Sequence, residues 1–571
     1  MRQTVLSFVL IVIFATVTPV AGREKSVFLT VPRTLSNPDA TLHENSWLPE
    51  AFVGVALSGG GSRAANFSAA VLRYLEELGI LEKVTAMSSV SGSSITTAYY
   101  ALHGEELVTD PAWGKLQEKL RQDYTKSEIL LVLGSLLGFN KTKIIESRFN
   151  DSFFQDATFA DLGAPGPRRP LLLINSTMFG TGQGFVFDSD LFNKSMLKDN
   201  VKFKSSQLAM LPVVQAVAAS AAFPGLLDSV DFPADEGEIP TYRHLYDGGV
   251  TDNLGVEHLL LAAQNYYAEI VRRNRPFRGC AIIVVDGGRE ASEVVANRMS
   301  NKEPDLRSGI VSKVINRDAN DAINLLVDNY SKRNLREVGV EPMPDHPRPG
   351  ANTLFSKAWV LNTPDGNTEQ PLLSSVGTFR LFAQEQDLSF LKKVAPQANS
   401  EIKCTTWYIA PRRLTILDLV PQKPASSLKD KDSSQYNEMA YRTNEKYVSS
   451  NTYDFRWRLR RFFSEIVTDF SLTGPDYCEP EFIQERIFDA ARILTLEDQE
   501  SLKKFCDVLS QISPAGTDRC KPAIDRLNRP DLYWRIENDQ REFDREKRIK
   551  ADPAKVICPL PDYKPLYEQI P

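Results

Sequence analysis

Three small serines at alternate positions stand out first, because one of them could act as a nucleophile. Ser89, Ser91 and Ser93 lie where an apolar strand pattern gives way to a helical one. A serine on a sharp strand-to-helix turn is accessible to substrate, and such a turn tolerates only small neighbours two residues before and after it. Ser91 fits this position, with Gly92 directly after it. The alternative is a serine-rich N-cap of the following helix.

A run of glycines precedes the serines and could bind an anion. Gly59, Gly60 and Gly61 follow another strand pattern, with Arg63 close behind. Successive glycines let the backbone bend so that several N–H groups face one point beside a helix N-terminus. The run lacks the lysine of a phosphate-binding P-loop and the glycine spacing of a dinucleotide site. It predicts a cradle for a phosphate or a developing oxyanion, with a plain tight turn as the alternative.

An aspartate followed by two glycines occurs twice and offers two candidate acids. Asp247 precedes Gly248 and Gly249, and Asp286 begins the same tripeptide further on. Each ends an apolar run where the backbone must turn, so either aspartate could simply form the turn.

The pattern between Phe52 and Val285 predicts the elements that position these residues. Short apolar runs alternate with stripes of helical periodicity. The predicted strands are 52–57, 84–90, 171–174 and 280–285, and the predicted helices are 67–78, one beginning at 95, and 254–272. This alternation predicts an α/β fold with a mainly parallel sheet covered by helices on both faces. Such sheets bind ligands at the carboxyl ends of their strands.

Together the clusters resemble the patatin-like phospholipase family. Its loop Gly-Gly-Gly-x-Arg matches Gly59 to Arg63, its elbow Gly-x-Ser-x-Gly falls on Ser91, and its Asp-Gly-Gly motif falls on Asp247. Asn253 also matches and favours Asp247 over Asp286. Residues 173–182 and 216–225 agree as well, so the resemblance covers roughly 52–285. The sequence departs from the family where serines replace both elbow glycines.

The resemblance implies a three-layer patatin-like fold and a lipid acyl-ester hydrolase of the phospholipase A or lysophospholipase type. Ser91 would attack the ester carbonyl and Asp247 would take its proton, without a metal or cofactor. The oxyanion hole would comprise Gly59, Gly60, Gly61 and Arg63, with the N–H groups of Gly60 and Gly61 as donors. Arg63 would position the loop or meet a lipid phosphate. The supporting motif residues are Ser89, Gly92, Ser93, Gly248, Gly249 and Asn253.

Two other functions are consistent with these residues. A Ser-His-Asp esterase with the order serine, acid, histidine leaves His258 and His346 as candidate bases. His258 lies in a helical stripe and His346 in a proline-rich stretch, so we expect neither to act in catalysis. A catalytically inactive lipid-binding or interaction protein on the same fold is the second alternative, but it would need neither Ser91 nor Asp247.

The composition is that of an ordinary globular protein, with 42% hydrophobic and 25% charged residues among 571. Lysine plus arginine is 67 and aspartate plus glutamate 73, a net charge of −6. A mildly acidic chain has no electrostatic reason to bind nucleic acid. The family resemblance, and not the charge, implies a phospholipid or other acyl-lipid substrate and a membrane surface as the partners.

The first 22 residues predict export. After Arg2, residues 3–22 are uncharged, apolar at their centre and end in small residues, as in a secretory signal. An uncleaved membrane anchor is the alternative. The protein is therefore expected to be secreted, periplasmic or envelope-associated. The predicted organisation is 1–22 signal or anchor, 23–50 N-terminal segment, 51–290 patatin-like core, 291–420 mixed extension, 421–448 linker or surface loop, and 449–571 mainly helical C-terminal region.

The cysteines divide into two groups. Cys280 and Cys404 lie in apolar runs and are interpreted as small core residues of strands. The others crowd the C-terminal region without zinc-like spacing, and in an exported chain they predict two disulfides of undetermined pairing. They are Cys478, Cys506, Cys520 and Cys558.

Two further segments could meet lipid. Residues 129–139 are uncharged and too short to span a bilayer, so they predict either a buried helix or an interfacial lid. Residues 455–463 interleave arginines with aromatic residues. We interpret this stretch as a packed face with a solvated opposite face rather than a contact with anionic headgroups.

Overall fold

The fold was analysed in a computed structural model. The structure describes residues 47–125, 140–189, 209–234 except 225, 241–288, 317–340, 375–382, 401–414, 459–472 except 461 and 465, and 479–513. The predicted signal, the segment 129–139 and the predicted linker 421–448 lie outside these residues.

One sheet of nine described strands forms the centre of the protein, in the order β5-β6-β3-β2-β1-β7-β9-β8, with β4 also paired to β3. The strands β3, β2, β1, β7 and β9 run parallel, whereas β4, β6 and β8 each pair antiparallel with a neighbour. The bounds are β1 Ala51–Leu57, β2 Ala86–Val90, β3 Leu171–Met178, β4 Gly184–Asp188, β5 Val230–Ala234, β6 Thr241–Asp247, β7 Gly279–Val285, β8 Val376–Phe382 and β9 Glu401–Ile409.

Helices cover both faces of the sheet. They are α1 Gly61–Glu77, α2 Gly92–His103, α3 Asp110–Leu120, α4 Lys141–Phe149, α5 Val213–Ala221, α6 Gly249–Asp252, α7 Val256–Arg272, α8 Arg317–Glu337, α9 Pro480–Arg492 and α10 Gln499–Ile512. The three-layer α/β architecture predicted from the alternating pattern is confirmed, and α9 and α10 supply helices in the described C-terminal region.

Strand β1 shows how the layers are built. Its side chains alternate between the two faces, as the pleat of a strand requires. Val53, Val55 and Leu57 enter a core shared with α1, α2, α5 and α9. Phe52 and Ala56 enter a second core beneath α7. Both faces are apolar because both are covered, which explains the continuous apolar runs.

Cys280 and Cys404 are core residues of strands, as the sequence predicts, but they are not free thiols. Both are buried in strands, but β7 and β9 place them opposite each other with Cα atoms 4.5 Å apart, and they form a disulfide. This pairing could not be predicted from local sequence because the two residues lie 124 positions apart. Cys506 is also disulfide-bonded. The pairing of the other C-terminal cysteines stays a prediction.

The arginine-rich stretch 455–463 is described only at its end. There Leu459, Arg460, Phe462 and Phe463 are all buried, so these residues are packed and none of them lies on the solvated opposite face expected from sequence. In the part of the chain that the structure describes, no helix combines the length and apolarity needed to cross a membrane.

Candidate active site

Ser91 occupies a strained turn between β2 and α2. Its φ of 52° and ψ of −126° lie in a region that residues with a side chain rarely adopt. The Ser91 N–H donates to the Ser220 hydroxyl oxygen at 2.8 Å. A Cβ on the next residue, Gly92, would overlap the carbonyl of Gly61. The turn therefore depends on a glycine after the serine.

Ser89 and Ser93, which replace the two glycines of the elbow motif, both form hydrogen bonds through their hydroxyl groups. The Ser93 hydroxyl donates to the Ser58 carbonyl at 2.5 Å, which ties the elbow to the start of the glycine loop. The Ser89 hydroxyl accepts a hydrogen bond from Thr97 at 2.7 Å. Both serines are fully buried. The substitutions are thus compatible with the sharp turn.

Asp247 ends β6 and lies beside Ser91. The Gly249 N–H donates to its carboxylate at 2.8 Å, and the Ser91 hydroxyl lies close enough to interact with the same group. The side chain is buried. Burial raises the pKa of Asp247 to about 6, although the Ser91 hydroxyl and the Gly249 N–H both act in the opposite direction. Such a carboxylate can accept a proton near neutral pH.

The glycine loop lies directly against the serine turn. A Cβ on Gly59 would lie 3.3 Å from the Ser91 Cβ and 2.5 Å from Asn253 Oδ1. The Gly59 N–H donates to the Asn253 carbonyl at 2.9 Å, so Gly59 shapes the loop and is not available as an oxyanion donor. Within the described residues, the N–H groups of Gly60 and Gly61 have no hydrogen-bond partner.

Arg63 is buried behind the loop. Its Nε donates to the Gly287 carbonyl at 3.0 Å and its Nη1 to the Ile466 carbonyl at 3.2 Å. Of the two roles considered from sequence, positioning of the loop agrees with these contacts. Contact with a lipid phosphate does not, because the side chain is 0% exposed.

Asp286 occupies a turn like that of Asp247 but has other partners. The Gly288 N–H donates to its Oδ1 at 2.9 Å, Tyr408 donates to Oδ2 at 2.7 Å, and Arg412 forms a buried ion pair with it. Burial alone would raise the pKa of Asp286, but the Arg412 charge and the hydrogen bonds hold it below its usual value. Asp286 is therefore a structural ion-pair residue.

The described histidines lie elsewhere. His103 contacts Tyr99 and Glu106, and His244 pairs with Asp231 at 2.6 Å. His258 is buried on α7, and burial lowers its pKa to about 4. In the described part of the chain, no histidine takes part in the hydrogen bonds of Ser91 or Asp247. His43 and His346 lie outside the described residues.

Sequence reasoning missed the residues that hold the two turns together. Ser220 accepts the Ser91 N–H through its hydroxyl, and its carbonyl accepts the Gly248 N–H at 3.3 Å. The Thr177 hydroxyl donates to the Asp247 carbonyl at 2.9 Å, and Asn175 donates to the Ser89 carbonyl at 2.8 Å. All three lie in the segments 173–182 and 216–225, whose match to the family was the available signal.

Part of the chain matches a known family. Residues 55–260 match the model of the family described as patatin-like phospholipase. Over this range, the matched domain, the chain is similar to patatin-like phospholipases. That domain contains Ser91, Asp247 and the glycine loop, whereas Gly287 and Ile466, which bind Arg63, lie beyond its matched range. No curated protein matches the chain.

Solved structures similar to this chain include phospholipases at low identity. Human GIVD cytosolic phospholipase A2 is 13% identical over 83% of this chain and 60% of its own, with a TM-score of 0.36. VipD from Legionella pneumophila is 12% identical over 84% and 87%, with a TM-score of 0.22. ExoU of the Pseudomonas aeruginosa ExoU–SpcU complex is 15% identical over 81% and 78%, with a TM-score of 0.21. The chain thus spans about 60% of the cytosolic phospholipase A2 chain.

Proposed function

We propose that the protein is a lipid acyl-ester hydrolase of the phospholipase A or lysophospholipase type, acting through Ser91 and Asp247. The observation that carries the proposal is the placement of Ser91, on a turn with a φ of 52°, beside the buried carboxylate of Asp247, whose pKa burial raises to about 6. A protein that only binds lipid has no need of a serine on a strained turn or of an aspartate kept buried beside it.

In the proposed reaction Asp247 acts first as base. Ser91 Oγ attacks the ester carbonyl carbon, Asp247 takes the hydroxyl proton, and the carbonyl oxygen becomes an oxyanion. When the tetrahedral intermediate collapses, the proton passes from Asp247 to the departing alcohol and Ser91 remains acylated. Water then attacks the acyl group, again giving a proton to Asp247, which returns it to Ser91 Oγ as the fatty acid leaves.

The proposed oxyanion donors are the N–H groups of Gly60 and Gly61. They are the members of the loop with no other partner among the described residues. The loop contacts the nucleophile turn at two points. Gly59 lies against Ser91 Cβ, and the Gly61 carbonyl lies against Gly92. Preorganised donors of this kind are each worth about 2.7–4 kcal/mol of barrier.

Two exposed aromatic side chains, one directly after β3 and one in β6, support contact with a lipid surface. Phe179 is 65% exposed and Tyr242 is 58% exposed. The Phe179 N–H donates to the His244 carbonyl, and its ring packs on Tyr246, the neighbour of Asp247, at 5.4 Å. Aromatic side chains favour the interface between membrane and water. We assign this face to the lipid surface. Vesicle binding by Phe179→Ser and Tyr242→Ser tests the assignment, with Leu326→Ser as the control. We expect the first two variants to bind vesicles less than the control does.

The disulfide between Cys280 and Cys404 supports an oxidising compartment. Together with the predicted signal at residues 1–22, it favours export of the protein. Fractionation of cells that express the full chain, followed by mass spectrometry of its N-terminus, tests export and cleavage.

Product analysis tests the activity itself. Wild type and Ser91→Ala are compared on defined phospholipids and neutral glycerides, with free fatty acid and lysolipid measured by mass spectrometry. We expect fatty acid release by wild type alone and covalent labelling of Ser91 by an alkyl fluorophosphonate. Binding of lipid without release or labelling would favour the inactive lipid-binding alternative.

A further inference from the structure

The glycine loop is in contact with a segment far along the chain. The Ser62 N–H, in the first turn of α1, donates to the Asp469 carbonyl at 2.6 Å. A Cβ on Gly61 would overlap the same carbonyl, so the two backbones touch. Arg63 reaches the Ile466 carbonyl of this segment. The segment of residues 463, 464 and 466–469, here called the C-terminal clamp, therefore meets three consecutive residues, Gly61, Ser62 and Arg63.

Side chains hold the C-terminal clamp on α1. The Phe463 ring packs edge-on against Phe67 with centroids 5.4 Å apart, and the Arg63 guanidinium lies 5.6 Å from the centre of the same ring. Phe463 is only 3% exposed. The Asp469 carboxylate accepts the Ser471 N–H at 2.9 Å, which fixes the local turn that carries the Asp469 carbonyl. The contact is thus a packed interface and not a single hydrogen bond.

The loop needs external support because it has no side chains of its own to pack. Gly60 and Gly61 adopt φ values of 136° and 58°, which glycine tolerates and other residues resist. Glycine is also the residue with the most conformational freedom to lose. Oxyanion stabilisation requires N–H groups that are already in place before the charge develops. Neighbouring segments must therefore fix the loop.

We infer that the C-terminal clamp is a positioning element of the active site, which holds the glycine loop in the conformation that presents the Gly60 and Gly61 N–H groups to the oxyanion. This inference rests on the proposed hydrolase function. It gives the C-terminal region, which lies outside the matched domain, a part in the chemical step. A segment across a loop could instead obstruct it, and the two roles predict opposite changes when the contact is weakened.

The test compares identical substitutions at two buried phenylalanines of the C-terminal region. Phe463→Leu loosens the C-terminal clamp, whereas Phe505→Leu removes a ring that packs on Trp407 of β9 at 5.2 Å, away from the loop. Kinetics are measured on a soluble short-chain ester, so that lipid-surface binding does not contribute. We expect Phe463→Leu to lower kcat on the order of tenfold with little change in KM. A 1 Å misplacement of catalytic groups costs ~10²-fold in rate, and we expect the loosened loop to be displaced by less than that. Phe505→Leu is expected to retain wild-type kcat while lowering the melting temperature similarly.

A second pair keeps the test independent of core packing. Asp469→Ala removes the acceptor for the Ser471 N–H and is expected to lower kcat, whereas Asp469→Asn keeps an acceptor oxygen and is expected to restore it. Unchanged kcat in both Phe463→Leu and Asp469→Ala overturns the inference, and so does equal loss in Phe463→Leu and Phe505→Leu. A rise in kcat overturns it in favour of obstruction. An inactive wild type defeats the proposed function as well, so the two failures are distinguishable.

Discussion

Asp247 and Asp286 each accept the N–H of the residue two positions on, at 2.8 and 2.9 Å, yet their acidities shift in opposite directions. Burial raises the pKa of Asp247 to about 6, with Ser91 as its side-chain partner. The pKa of Asp286 is lowered because the Arg412 charge, with hydrogen bonds, outweighs the effect of burial. The same tripeptide thus holds a carboxyl group with a raised pKa in one turn and an ion-pair partner in the other.

Substituting the two aspartates should separate activity from stability. We expect Asp247→Asn to abolish ester hydrolysis in a folded protein, since the amide cannot take the Ser91 proton. Asp286→Asn is expected to cost on the order of 3 kcal/mol of unfolding free energy, because it leaves the Arg412 charge buried without its partner. Turnover of a short-chain ester and urea unfolding measure the two effects. Turnover by Asp247→Asn near the wild-type level would contradict the assignment.

The pH dependence of stability gives a second signature of Asp247. Its folded-state pKa lies above the usual value, so the folded state binds the proton more tightly than the unfolded state. The contribution of this difference to the free energy of unfolding is fully present below about pH 4 and is lost as the pH rises through about 6. Asp247→Asn should therefore be more stable than wild type at pH 8, by up to about 3 kcal/mol. Unfolding curves at pH 5 and pH 8 measure this, and a variant less stable at pH 8 would refute it.

The pH–rate profile should follow the same carboxyl. Because Asp247 must be ionised to act as base, kcat/KM is expected to fall on the acidic side with a midpoint near pH 6. The midpoint should be unchanged in His258→Gln, since the buried His258 has no part in the hydrogen bonds of the pair. Loss of the acidic limb in His258→Gln would instead favour a triad.

Backbone strain at Ser91 predicts a difference between two inactive variants. Ser91→Ala keeps a Cβ at the positive φ, whereas Ser91→Gly removes it. We expect Ser91→Gly to be the more stable of the two by about 1 kcal/mol, after the entropic cost of glycine is subtracted from the released strain. Thermal unfolding of both proteins provides the measurement. Equal melting temperatures would mean that the turn holds no such strain.

Two glycine-to-alanine changes test the contact between the elbow and the glycine loop. Gly92→Ala places a methyl group onto the Gly61 carbonyl, so we expect it to displace the loop and to abolish turnover. Gly114→Ala is the control, because its Cβ meets nothing within 4 Å and it lies inside α3. It should raise stability by about 0.5–1 kcal/mol with full activity. Active Gly92→Ala would contradict the close approach.

The sequence was informative where neighbouring residues determine conformation. The apolar runs of β1 and β7 and the glycines of the loop predicted strands and a turn, because burial and positive φ values restrict the residue types. Their order then brought Ser91 and Asp247 to one end of the sheet. Asp247 could be preferred to Asp286 only through the family motif, since both have the same local sequence.

Partners distant in the chain could not be read from local patterns. Arg63 looks like any charged residue at a helix start, and its acceptors at Gly287 and Ile466 arise only when separate segments meet. Cys280 and Cys404 likewise look like ordinary apolar strand residues until β7 and β9 are placed side by side. A single sequence carries no record of which distant segments touch.

The position of β1 has a consequence for how the chain folds. This first strand lies at the centre of the sheet, where Leu57 pairs with Ser89 on one side and with Val285 on the other. β2 is synthesised soon after β1, but β7 follows only after the whole of the matched range 55–260. Until then β1 has one apolar edge without a partner, and such edges template aggregation. Pairings of this sequence separation also form slowly, so we expect the nascent chain to depend on chaperones until β7 arrives.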